Sequence, residues 1–333
     1  MPTNNDASRG LFSSPWIRIG AGAIAFRVFS AVLAFFINLA FPLDQREQFT
    51  MWGRTSPFWD TFTRYDSGYY ITIARTGYAP VAGGRSNIAF FPVYPLLMRY
   101  VGRLFGRTTG HTFLGGIAVS WVSFVLAMIA LYYLAKLDLS PRRAERAVLL
   151  ASIFPFAFFF GVAYSESTFL LFTILAFYLF RTRRWILAGL AGAVAIATRT
   201  PAFVMWPALA WTAWRSAEPT RRDRTWAAVG LALTMAGFAA YCAYIYAVTG
   251  HPFEWVSTLE LWGDGYRPGG APWTAPLKLL GQLLTHPYAF LAGDRMAPYD
   301  TLYGVTAIFF LAATPFVWRT FGAGYGIYML LTL

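Results

Sequence analysis

One cysteine and three histidines in 333 residues leave little material for thiol or metal chemistry. Cys242 stands alone inside an apolar stretch, so there is no disulfide framework, and cysteine usage says nothing about redox compartment. His111, His251 and His286 show no metal-ligand spacing. Charge is scarce too. Only 13% of residues are charged, about half the share of a soluble domain. The glycine pairs at 83, 115 and 269 lack the strand–turn–helix setting of a phosphate loop. No Gly-x-Ser-x-Gly nucleophile motif is present. There is no low-complexity sequence and no internal repeat period, which excludes a solenoid.

What fills the chain is apolar: 57% hydrophobic and 19% aromatic residues. Eight apolar stretches and the start of a ninth lie at about 17–40, 112–135, 147–164, 165–180, 185–199, 201–215, 226–248, 299–318 and 324 onward. Lengths near 20 residues cross a bilayer as helices. The stretches at 185–199 and 201–215 are short, and Pro201 between them marks two tilted halves of a kinked hairpin. The first stretch is too long for a signal-peptide core and is expected to be retained. The last begins near Gly324 and stops at Leu333, too short to cross, so a truncated C-terminus is expected. The fold class expected is an all-α polytopic membrane protein of one domain, residues 1–333, with about eight or nine transmembrane helices.

The net charge of +12 sits in short loops and helix ends, not in a contiguous domain that would track nucleic acid. Lys136 to Arg146, Arg181 to Arg184 and Arg215 to Arg224 are strongly basic short loops. Such loops stay cytoplasmic. The turns at Tyr164–Ser167 and Thr198–Pro201 are then outside, as are the long loops 41–111 and 249–298. Segment 88–106 is apolar, but crossing there would put loop 136–146 outside. It is therefore expected as an interfacial helix from Pro95, with Leu96, Leu97, Tyr100, Val101 and Leu104 on one face and Arg99, Arg103 and Arg107 on another. Loop 41–111 should be structured, with a short helix from Ser67 to Arg75 stopped near Gly77 and a joint at Gly83-Gly84. Abundant arginine with only two lysines points to GC-rich DNA and a bacterial plasma membrane, with the active site facing outside.

Three polar residues at that outer edge can carry chemistry. Asp66 lies in Arg64-Tyr65-Asp66-Ser67-Gly68-Tyr69-Tyr70. A carboxylate there is either a helix N-cap or a general base. Tyr65, Tyr69 and Tyr70 would desolvate it and Arg64 would oppose that effect. Glu166 either complements a helix N-terminus or serves a pocket, by binding sugar hydroxyls or by orienting a basic residue. Arg199 either snorkels to the headgroups or binds a lipid-linked phosphate. Arg85, Arg295, His251 and His286 are weaker candidates.

These stretches together resemble the PIG-V-like mannosyltransferases, membrane enzymes of glycosyltransferase class C. The matching pieces are Arg64 to Tyr78, Ala89-Phe90-Phe91-Pro92-Val93-Tyr94-Pro95-Leu96-Leu97, Phe154-Pro155, Ala163-Tyr164-Ser165-Glu166-Ser167 and Ala197-Thr198-Arg199-Thr200. The resemblance implies a GT-C-like fold and transfer of mannose from a polyprenyl-phosphate donor to a glycan or glycolipid acceptor on the extracytoplasmic face. It implies inversion of configuration, no metal and no cofactor. It places the base on Asp66 in the first outer loop, with Arg64, Tyr65, Tyr69, Tyr70, Tyr94, Glu166 and Arg199 as substrate-binding candidates. A lipid-linked-sugar flippase and a non-catalytic subunit of a glycosyltransferase complex are the alternatives.

Overall fold

The structure, a computed structural model, describes residues 14–40, 51, 56–80, 86–258, 281, 284–285 and 298–332. The expectations for Gly83-Gly84, Arg85, His286, Arg295 and most of loop 249–298 lie outside them. The described residues form helices and turns with no strand. The helices are α1 (Pro15–Ala40), α2 (Ser67–Thr76), α3 (Val93–Phe105), α4 (Thr109–Ala135), α5 (Pro141–Ile153), α6 (Glu166–Arg181), α7 (Trp185–Ile196), α8 (Met205–Ser216), α9 (Arg221–Leu233), α10 (Ala236–Thr249), α11 (Pro298–Phe321) and α12 (Ala323–Thr332). Four stretches are long and apolar enough to cross a membrane: α1, α4, α9–α10 taken together, and Gly304–Phe321 within α11. The chain is an all-α membrane protein.

The core is built on α4 and α6. Phe124, Ala127 and Met128 of α4 meet Ile174, Phe177 and Phe180 of α6, and Ile196 of α7 and Leu209 of α8 complete the cluster. By contrast α1 keeps Phe29 and Phe36 on its surface, as a helix facing lipid would.

Ion pairs fix the two ends of the bundle. Arg18 before α1's second turn meets Glu145 of α5 at 2.5 Å. Arg181 ending α6 pairs with Asp138, and Arg183 pairs with Glu218. The basic loops thus share one end. Glu166 and Arg199, which begin α6 and follow α7, occupy the other.

One expectation needs correction. Stretch 147–164 is not one helix. Phe154 is extended (φ −57°, ψ 139°) because it precedes Pro155, which disfavours the helical region there. Residues Pro155–Gly161 then form a 3₁₀ segment and Val162 is extended again. Stretch 226–248 does lie within one membrane-long run, Arg221–Thr249, with a short turn between Leu233 and Ala236. The kinked pair around Pro201 does appear, as α7, a 3₁₀ turn at Thr200–Val204, and α8.

The short helices behave close to expectation. Helix α2 stops at Gly77, whose φ of 89° suits glycine. Helix α3 starts at Val93, with Pro95 in its first turn. At 13 residues, or about 20 Å, it is shorter than a bilayer core. Its expected single apolar face divides in two. Leu97 and Val101 pack inward with Tyr94 and Met98, whereas Leu96, Tyr100 and Leu104 are exposed beside Arg103 and Arg107. Gly102 lets α3 lie directly on α4: a Cβ there would sit 2.7 Å from the Thr112 Cα. Gly115 faces back onto the Gly102 backbone. Such small-residue crossings are how membrane helices approach. Gly115→Ala should therefore pry α3 off α4 and cost about 1–3 kcal/mol, read as a lower unfolding midpoint in detergent. An unchanged midpoint would show that the crossing is loose.

Candidate active site

Residues 154–165 run irregularly beside the middles of two spans, where unpaired backbone groups are costly. Side chains from elsewhere satisfy them. Arg27 Nη1 donates to Ala157 O at 2.5 Å. Trp121 Nε1 donates to Gly161 O at 2.9 Å. Ser120 Oγ donates to Tyr164 O at 3.0 Å. The segment from Phe62 to Tyr70 takes part as well. The Ala163 N–H donates to Phe62 O at 2.9 Å. Ser67 Oγ donates to Ala163 O at 3.3 Å, and the Tyr70 and Ser165 hydroxyls meet at 2.7 Å. Tyr164 OH donates to Arg64 O at 3.0 Å. The loop carrying Asp66 is thereby stitched to the segment that delivers Glu166.

Asp66 stands at the start of α2. Before it, Tyr65 adopts a φ of 50°, an uncommon conformation for a non-glycine residue, and is 70% exposed. The capping role expected as one reading is not taken: the Asp66 carboxylate makes no cap hydrogen bond. Among the described residues it has no hydrogen-bond or ion-pair partner. Burial pushes its carboxyl up to about 6. The neighbouring Glu166 charge adds to the rise and Arg199 opposes it.

Arg199 is extended (φ −151°, ψ 144°) in the turn between α7 and the Thr200–Val204 3₁₀ segment. Its Nη1 forms an ion pair with Glu166 Oε1. Glu166 Oε2 is buried without a partner. The N-terminus of α3 joins this place, because the Val93 N–H donates to Ala197 O at 3.1 Å. The N-terminal ends of α2, α3 and α6 therefore converge with one guanidinium. Helix N-termini and arginine both favour a bound anion.

The remaining sequence candidates divide. Tyr65 is exposed. Tyr69 is half-buried, its ring stacked on Phe90 at 4.8 Å. Tyr70 is buried and its hydroxyl is held by Ser165; burial raises its phenol, so it stays neutral. Arg64 is directed at Asn38 Oδ1, 2.5 Å away. Tyr94 is fully buried, its hydroxyl donating to Gly116 O at 3.0 Å and meeting Ser120 Oγ at 3.1 Å. The Tyr70 and Tyr94 side chains are thus enclosed in packing, with their hydroxyls engaged. His251 is an exposed turn residue whose N–H donates to Thr249 Oγ1. Sequence reasoning missed Ser120, Trp121 and Arg27, which hold the irregular segment. Arg27, an arginine inside an apolar span, was the signal that could have found them.

Residues 92–245 match the family model of the dolichyl-phosphate-mannose-protein mannosyltransferases. Over that range, somewhat under half of the chain, the protein is mannosyltransferase-like, which supports a membrane glycosyltransferase of the GT-C type. The matched range contains Glu166 and Arg199 and begins after Asp66. No curated protein and no solved structure matches the chain.

Chemically, the arrangement offers a half-buried carboxylate whose proton affinity is raised, beside a fixed cation. The raised value also makes a stability prediction. An aspartate with a folded pKa above its unfolded value of about 3.9 binds its proton more tightly when folded, so its ionised form opposes folding. That cost is absent below about pH 4 and complete above about pH 6. Asp66→Asn should therefore raise the unfolding midpoint at pH 8, with the gain vanishing toward pH 4. A loss of stability at pH 8 would contradict the placement of Asp66.

Proposed function

We propose that the protein transfers mannose from a polyprenyl-phosphate donor to a hydroxyl of a glycan or glycolipid on the extracytoplasmic face, with Asp66 as the base. The observation that carries this reading is the meeting of an unpaired, proton-attracting Asp66 with the Glu166–Arg199 pair at converging helix N-termini. The PIG-V-like motif order and the mannosyltransferase match support the same chemistry.

In this reading Asp66 takes the proton of the acceptor hydroxyl as its oxygen forms the bond to the anomeric carbon. The bond from that carbon to the phosphate oxygen breaks on the opposite face. The phosphate leaves with the electron pair and the configuration inverts. No general acid is needed, because Arg199 and the helix termini stabilise the charge that develops on the phosphate. Tyr65 and Tyr69 offer rings to the sugars at the rim. The prenyl tail stays in the membrane, which accounts for a sugar enzyme made mostly of apolar helices. The catalytic loop 41–111 and the loop 249–298 belong to one domain with the spans.

Asp66→Asn should lower turnover by about 10²–10⁴, measured with labelled polyprenyl-phosphate-mannose in membranes. Near-normal turnover would remove Asp66 from the mechanism. Wild-type kcat/KM should fall as pH drops through about 6, because only the ionised carboxylate accepts a proton; a rate flat from pH 5 to 8 would contradict this. Arg199→Ala should weaken donor binding, and unchanged kcat and KM would make Arg199 structural.

The discontinuity between α5 and α6 favours a second reading, since broken helices also mark lipid-linked-sugar flippases. Vesicles loaded with labelled donor separate the two: product formation supports transfer, and translocation without product supports flipping.

A further inference from the structure

Glu166 has one oxygen on Arg199 and the other, Oε2, buried with no donor. An unsatisfied buried carboxylate oxygen is costly, and a helix-capping glutamate would have no need of it. Asp66 is close by, because its neighbour Ser67 bonds Ala163 O and Tyr70 bonds Ser165, the residue before Glu166.

We propose that Glu166 is a positioning residue: its carboxylate, pinned by Arg199 and buried on its far side, is a fixed negative charge that acts together with burial in helping Asp66 take the acceptor proton. This rests on Asp66 being the base. The two carboxylates then have separate tasks. Glu166 holds Arg199, and Asp66 gains and loses the proton. The other groups facing Asp66 do not supply this charge. Next to it in the chain, Arg64 is drawn to Asn38 Oδ1 and to Asp60 O at 3.2 Å, and Tyr65, Tyr69 and Tyr70 carry phenols, not carboxylates. From α3 and the irregular segment come the hydroxyls of Tyr94 and Tyr164, both engaged. From the turn after α7 comes Arg199, which acts in the opposite sense.

The test is Glu166→Gln, which keeps the shape and an acceptor for Arg199 but removes the charge. Two quantities are measured on the full chain in membranes. One is the titration of the Asp66 carboxyl, followed by its infrared band with Asp66→Asn as the subtraction control. The other is the acid limb of kcat/KM with labelled polyprenyl-phosphate-mannose. Both should move down by roughly one pH unit, and Glu166→Asp, which restores the charge, should bring both back toward wild type. A titration that stays in place in Glu166→Gln overturns the proposal. A titration that moves while the limb stays leaves the coupling intact and removes Asp66 as the base.

Discussion

The structure depends on one constraint: backbone that leaves helical geometry beside membrane spans must find hydrogen-bond partners in the protein. Pro155 favours that departure, since a proline disfavours helix for the residue before it and offers no N–H, and α5 ends at Ile153. The acceptors between Ala157 and Tyr164 are met by Arg27 from α1, Ser120 and Trp121 from α4, and Ser67 from the outer loop. Satisfying the break therefore brings the outer loop down onto the bundle. A packing requirement thus becomes a functional arrangement, because the same contacts set Asp66 beside Glu166 and Arg199.

Burial sets the proton affinity of Asp66. A carboxylate in water would be ionised at any neutral pH and a weak base. Moved against apolar rings and a second carboxylate, Asp66 holds its proton more tightly. Its charge opposes folding above pH 6, a cost offset by the packing around it. Arg199 limits the effect and keeps the site from being purely anionic. Sites built this way trade stability for chemistry.

Much of this was legible in the sequence. The spacing of apolar stretches, the helix after Asp66 with its glycine stop, and the hairpin kinked at Pro201 all follow from periodicity and breaker residues. The pairing of Glu166 with a basic residue was one of its open readings. The break at Pro155 was hidden because Phe-Ala-Phe-Phe-Phe is as apolar in a 3₁₀ segment as in a helix. Hydropathy measures transfer to lipid, not geometry. The full burial of Tyr94 was hidden for a related reason: an aromatic residue in a motif can lie in the interior or at a rim, and only three-dimensional packing distinguishes them. For Asp66 the sequence left cap and base open, because both use the same residue type at the same position, and the packed structure shows no cap hydrogen bond.

The central claim is that donor phosphate and catalytic carboxylate meet at the end of the bundle opposite the basic loops. The most direct measurement is an experimental map of the protein in lipid with a polyprenyl phosphate bound. The account predicts the phosphate on Arg199, at the N-terminus of α6, with Asp66 across the space where a sugar would sit. A phosphate held instead among Arg181, Arg183 and Arg215, at the opposite end, would contradict it.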